Sequence, residues 1–202
     1  MTARREEQQL VELVVSEIEG WAEAIPRRES HRSVAIVGAS LLEATLEHLL
    51  KARLIHHPKI DLFGRNGPLS TFSAKIDMAH AAGIIAADIW DEVHRVRKIR
   101  NHFAHAVRIR SFNENTIRQH CANLGAPDLF EEEFKAADLE MSPEERYLLT
   151  CGFLAGLLGT CNVEPVTGVT RNADALKRMV RIPIRKVLTR MVARARTKRL
   201  RA

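Results

Sequence analysis

The chain has 202 residues, 46% of them hydrophobic and 28% charged, which fits a single globular domain with an appendage and excludes a low-complexity or fibrous protein. Aromatic residues make up only 5%, so the core must come from Leu, Ile, Val and Ala, a composition suited to packed helices. The formal charge of +6 hides an asymmetry: no acid follows Asp174, and eleven of the 31 basic residues lie from Lys177 onward. Residues 1–176 therefore hold 20 basic against 25 acidic residues, a net −5.

The first predicted helix runs from Ala3 to Ile25, with Leu10, Leu13, Val14, Ile18 and Trp21 at helical spacing and Pro26 as its stop. A second starts near Ser30 and reaches His57, where Pro58 ends it. It is apolar on most sides, as a central helix is, and carries Glu43 and Glu47 as interior acids. Asn66-Gly67-Pro68 closes a loop. A third helix spans Leu69 to Ala82, with Gly83 as its cap.

The next predicted helix, Asp88 to Ile109, is the most informative. One residue advances about 100° around a helix, so Ile89, Val93, Val96, Ile99, Phe103 and Val107 share a face. Arg100 falls inside that apolar arc, where an unpaired guanidinium is costly. The interior acids Asp77 and Glu43 are its expected ion-pair partners. Arg97, Asn101 and His105 form the neighbouring polar flank.

A short helix is expected over Asn115 to Leu124, a break at Gly125-Ala126-Pro127, and a turn or two from Phe130 to Ala137. Ser142-Pro143-Glu144-Glu145 is a strong helix start: a capping serine, proline in the first turn and acids at the positive end of the dipole. That helix extends to Thr160. Gly152, Gly156 and Gly159 fall on one face, which suggests close approach of another backbone. The last helix begins near Asn172 or Asp174 and is disturbed by Pro183. No strand pattern, internal repeat or run of about 18 apolar residues is present.

The resulting fold class is all-α, a helical bundle with additional C-terminal helices. Three regions are expected: a core bundle over residues 1–110, accessory helices over 111–171, and a basic C-terminal tail over 172–202. The start Met-Thr-Ala-Arg-Arg-Glu-Glu lacks a signal-peptide core, and Cys121, Cys151 and Cys161 have no metal-ligand spacing. The expectation is a cytoplasmic protein without transmembrane segment, metal or cofactor.

Arg100-Asn101-x-x-x-His105 resembles the Arg…His motif of the HEPN superfamily, which includes metal-independent ribonucleases and non-catalytic relatives. From Phe63-Gly64 to Leu124 the chain also resembles the mannitol operon repressor family of bacterial regulators. The matching residues are Gly67-Pro68-Leu69, Ser70 through Asp77, Gly83-Ile84-Ile85, Arg97 through Asn101, Phe103-Ala104-His105, and Ser111-Phe112. This second resemblance implies an all-helical fold and, for some members, repression of a sugar-alcohol operon.

Two roles for the motif compete, and a non-catalytic dimerisation module is the third reading of the chain. In RNA cleavage, His105 would act as base or aligning donor, Arg100 would stabilise charge on the phosphorane, and Asn101 would orient the phosphate. HEPN enzymes build that site across a dimer. In the structural alternative Arg100 pairs with Asp77 or Glu43, and the protein is a regulator that binds partners. Homodimerisation is expected in either case, and a regulatory protein partner in the second. The tail residues Lys177, Arg178, Arg181, Arg185, Lys186, Arg190, Arg194, Arg196, Lys198, Arg199 and Arg201 form a candidate polyanion site for sequence-tolerant nucleic-acid contacts. Packing on the acidic body and contact with anionic lipid are the alternatives.

Overall fold

The computed structural model describes residues 30–55, 57, 59–106, 111–136 and 140–160. The first predicted helix, Cys161 and the basic tail lie outside the described residues.

Helices are the only regular elements among the described residues, so the all-α expectation holds. They are α1 (His31–Arg53), α2 (Phe72–Ala81), α3 (Ala87–His105), α4 (Asn115–Ala122), α5 (Glu131–Ala136) and α6 (Pro143–Thr160), with a 3-10 turn over Ala126–Phe130 before α5. Their ends follow local chemistry. The Ser30 side chain accepts from Ser33 N at the start of α1, and that of Thr71 from Ala74 N at the start of α2. Gly83 adopts φ +69°, the left-handed geometry that lets the chain leave α2 and turn into α3. At α6, Ser142 Oγ accepts from Glu145 N and Glu145 Oε2 accepts from Ser142 N at 2.8 Å, a reciprocal capping box.

The apolar positions of these helices form one continuous core from Val34 to Leu158. Leu42, Leu46, Leu49 and Leu50 of α1 meet Ile76 of α2, Val93, Val96, Ile99 and Phe103 of α3, and Leu154 and Leu158 of α6, all fully buried. α6 packs most extensively on α1. There Tyr147 is fully buried and donates its hydroxyl proton to the Ala35 carbonyl at 2.7 Å. Gly38 makes the approach possible: a Cβ there would sit 3.1 Å from Tyr147 Cε1. The close-approach glycine seen at this junction is thus on α1, while Gly152 and Gly156 of α6 are buried. Tyr147 also stacks against Phe112, whose ring lies 4.7 Å from that of Phe103.

α1 is long and apolar enough by length and composition to cross a bilayer. In the bundle its inner face, Val34, Leu42, Leu46, Leu49 and Leu50, is buried in the core shared with α2, α3 and α6, while Val37 stays exposed.

Polar groups inside the bundle tie specific helices together. Lys75 of α2, only 5% exposed, reaches Glu43 at 2.8 Å and Glu47 at 2.7 Å on successive turns of α1. Burial pulls its ammonium toward deprotonation, but the hydrogen bonds to Glu43 and Glu47 outweigh this and hold its pKa above the usual lysine value. Glu47 also receives Lys51, and the two lysine hydrogen bonds hold its carboxyl below the ordinary range. Buried Glu92 of α3 accepts from Ala126 N at 2.9 Å, anchoring the turn before α5, and pairs with Arg95. Arg146 of α6 donates to the carbonyls of Cys121 and Leu124 and to Asp128, closing the C-terminal end of α4.

The Lys75 cluster gives a direct stability test. Lys75→Met keeps the aliphatic stem, leaves Glu43 without a cation and leaves Glu47 with Lys51 alone. Chemical denaturation is expected to show a loss of about 3 kcal/mol, because one partner of a buried ionic cluster has gone. A loss below about 0.5 kcal/mol, the scale of an exposed pair, contradicts this account of the α1–α2 contact.

Candidate functional site

α3 buries one stripe and leaves the next one open. Val93, Val96, Ile99 and Phe103 are fully buried, so Trp90, His94, Arg97, Lys98, Asn101, His102 and His105 line an open groove of about 860 Å3, closed on one side by Asp77 of α2. Among the described residues Arg97 and Lys98 bring its cationic side chains, and Asp77 is its sole carboxylate.

Hydrogen bonds set the orientation of these groups. Asp77 Oδ1 accepts from Trp90 Nε1 at 2.9 Å and lies 3.1 Å from His94 Nε2. Arg97 Nε donates to His94 Nδ1 at 3.2 Å, which assigns the ring proton to Nε2, facing Asp77. The Trp90 indole hydrogen bond, followed by that of His94, holds the Asp77 carboxyl below its usual pKa. Arg100 Nη1 donates to Asn101 Oδ1 at 3.0 Å, so the Asn101 amide keeps its NH2 donors for the groove. At the far end His102 Nε2 lies 3.2 Å from His120 Nε2 of α4. Burial, then the charges of Lys98 and His102, lower the pKa of His120. Arg32 Nη2 donates to the Ala106 carbonyl and fixes the end of α3.

The lining is therefore rich in donors and poor in free acceptors, the chemistry of an anion site. Of the motif residues, Asn101 and His105 line the groove, and Arg100 supports it from the half-buried edge of the apolar arc.

The expected ion pair of Arg100 is corrected by the structure. Glu43 is taken by Lys75, and Asp77 by Trp90 and His94, and neither reaches Arg100. For Asp77 the cause is axial distance, since its contacts are with Trp90 and His94. Arg100 lies six residues beyond His94, about 9 Å farther along the helix. Trp90, Lys75 and His120 are participants that periodicity did not single out. The lone lysine on the inner face of α2, opposite two acids four residues apart, was the available signal for the Lys75 cluster. The tail residues from Lys177 to Arg201 and the residues beyond Ala106 of the predicted motif helix, 107–110, lie outside the described residues. Burial pushes the Cys121 thiol up to about 12, and that of Cys151 higher still, so neither is a thiolate at neutral pH.

A chain of the X-ray structure of the MtlR-HPr complex from Escherichia coli aligns with this fold at a TM-score of 0.52, covering 72% of this chain and 98% of that chain. The fold is MtlR-like. The two sequences are 15% identical across this match, so the likeness is one of architecture. No protein-family model matches the chain, and no curated protein matches it. The expectation drawn from the mannitol operon repressor resemblance is thus met at the level of the MtlR-like bundle.

The Asp77 network has a pH signature. Its folded pKa is depressed, so its contribution to stability is present above the unfolded carboxylate value near about 4 and is lost as pH falls through the lower folded value. Asp77→Asn removes the charge and keeps an acceptor for Trp90. Thermal melts of wild type and Asp77→Asn are expected to differ slightly at pH 7, by less than about 1 kcal/mol because Asp77 is exposed. That difference should shrink as pH drops through the folded value. A difference independent of pH contradicts the assignment.

Proposed function

We propose that this chain is an MtlR-like transcriptional regulator of the cytoplasm that works by docking a protein partner on the α3 groove. The observation that carries the reading is the donor-rich groove on an MtlR-like bundle. The MtlR structure it resembles is a complex with HPr, which makes HPr the natural first probe. The groove favours a partner surface that brings carboxylates or another anion to Arg97, Lys98 and Asn101. Charge complementarity of this kind accelerates association and selects among partners. Homodimerisation and weak nucleic-acid contacts by residues 177–201 belong to the same reading as further proposals.

A metal-independent ribonuclease is the second reading. It is favoured by one observation: Asn101 and His105 line the groove while Arg100 touches Asn101. His105 would supply the base or aligning donor, and the cations would stabilise the phosphorane.

One titration addresses the first reading. Escherichia coli HPr is added to the wild-type chain and to Arg97→Glu/Lys98→Glu in a calorimeter. Saturable binding is expected for the wild type, weakened about tenfold or more in the variant, since each reversed charge opposes an anionic surface. Equal affinity for both chains contradicts the groove as the docking face, and no binding to wild type contradicts HPr as its partner. RNA cleavage in the presence of a chelator, abolished by His105→Ala, would instead establish the ribonuclease reading.

A further inference from the structure

At the far end of the groove two imidazoles face each other from different helices. His102 Nε2 of α3 and His120 Nε2 of α4 are 3.2 Å apart, and their ring centroids are 4.9 Å apart with planes at 31°. A hydrogen bond can join such a pair with one nitrogen protonated. The same spacing has a second meaning. A tetrahedral zinc holds each imidazole nitrogen at about 2.0–2.1 Å, so two of its ligand nitrogens lie about 3.3–3.4 Å apart.

We propose that His102 and His120 form a two-histidine site for a divalent transition metal of the zinc type, bridging α3 and α4 at the end of the groove. The two nitrogens already stand within about 0.2 Å of the required separation, so binding replaces their hydrogen bond by turning both lone pairs toward the metal. α4 is anchored independently by Arg146, which donates to the Cys121 and Leu124 carbonyls. α3 is anchored by its buried stripe and by Arg32 at Ala106. The two imidazoles are thus held by packed helices rather than by loops, which lowers the ordering cost of binding.

Imidazole nitrogen selects zinc, nickel or copper over magnesium, which prefers oxygen ligands. Among the described residues no third His, Cys, Asp or Glu joins the pair, so water completes the shell. The open coordination positions lie beside the groove, because His102 also lines it. Lys98, on the same wall, opposes a cation there and keeps the site weaker than a closed structural zinc centre.

The test is a zinc titration of the full chain by calorimetry, paired with thermal melts. Expected results are saturable zinc binding, a melting temperature that rises with zinc, and no response to magnesium. His120→Ala and His102→Ala are each expected to lower zinc affinity about tenfold or more and to remove the rise. The control His48→Ala alters an exposed histidine on α1 and should bind as the wild type does. Each variant is first melted without metal, so that a folding defect is read separately. If a folded His102→Ala/His120→Ala chain binds zinc as the wild type does, or if magnesium gives the same rise, the site is overturned.

Discussion

The buried stripe of α3 is the constraint from which the site follows. Val93, Val96, Ile99 and Phe103 are fully removed from solvent, each stabilising the fold by about 1.5–3 kcal/mol relative to exposure. A helix has one rotational phase, so burying these four fixes where every other α3 side chain points. Arg97, Asn101 and His105 must then project into the groove, whose wall Asp77 of α2 and Trp90 of α3 complete. Rotating α3 by one residue, about 100°, would take Arg97 toward the core and open Val96 to water. The site is held in place by core burial, and its own hydrogen bonds refine only the side-chain orientations.

Polar contacts inside the bundle add specificity that apolar packing lacks. Lys75 can satisfy both Glu43 and Glu47 in one alignment of α2 on α1. The Tyr147 hydroxyl reaches the Ala35 carbonyl only where Gly38 lets the ring approach. Glu92 holds the Ala126 amide and so brings the chain back under α3. Each contact is satisfied, and no buried side-chain polar atom among the described residues lacks a partner. The fold therefore has a defined register between α1, α2, α3 and α6, which a groove built from successive turns of α3 requires.

Local chemistry was legible in the sequence and tertiary pairing was not. Ser30, Gly83 and Ser142-Pro143 marked helix boundaries because capping depends on residues a few positions apart. The inner and outer stripes of α3 were legible for the same reason, since period alone sorts Ile99 from Asn101. Arg100, expected inside the apolar arc, is half-buried and donates to Asn101, while Glu43 and Asp77, eligible by type, are engaged by Lys75 and by Trp90 and His94. The pair His102 and His120 depends on how α4 docks, eighteen residues away, which no local pattern encodes. The MtlR-like bundle survives at 15% identity because many Leu, Ile and Val arrangements fill the same core.

The most direct measurement is a thiol-accessibility scan of α3 in a Cys161→Ser background, where Cys121 and Cys151 are buried. Single cysteines are introduced at Val96, Arg97, Ile99, Asn101 and His105 and labelled under native conditions, after melts confirm that each variant folds. The account predicts fast labelling at positions 97, 101 and 105, and protection at 96 and 99 that is released only when the protein unfolds. Labelling at 96 and 99 as fast as at 97 and 101 would contradict the division of α3 into a buried stripe and an open one, and with it the groove.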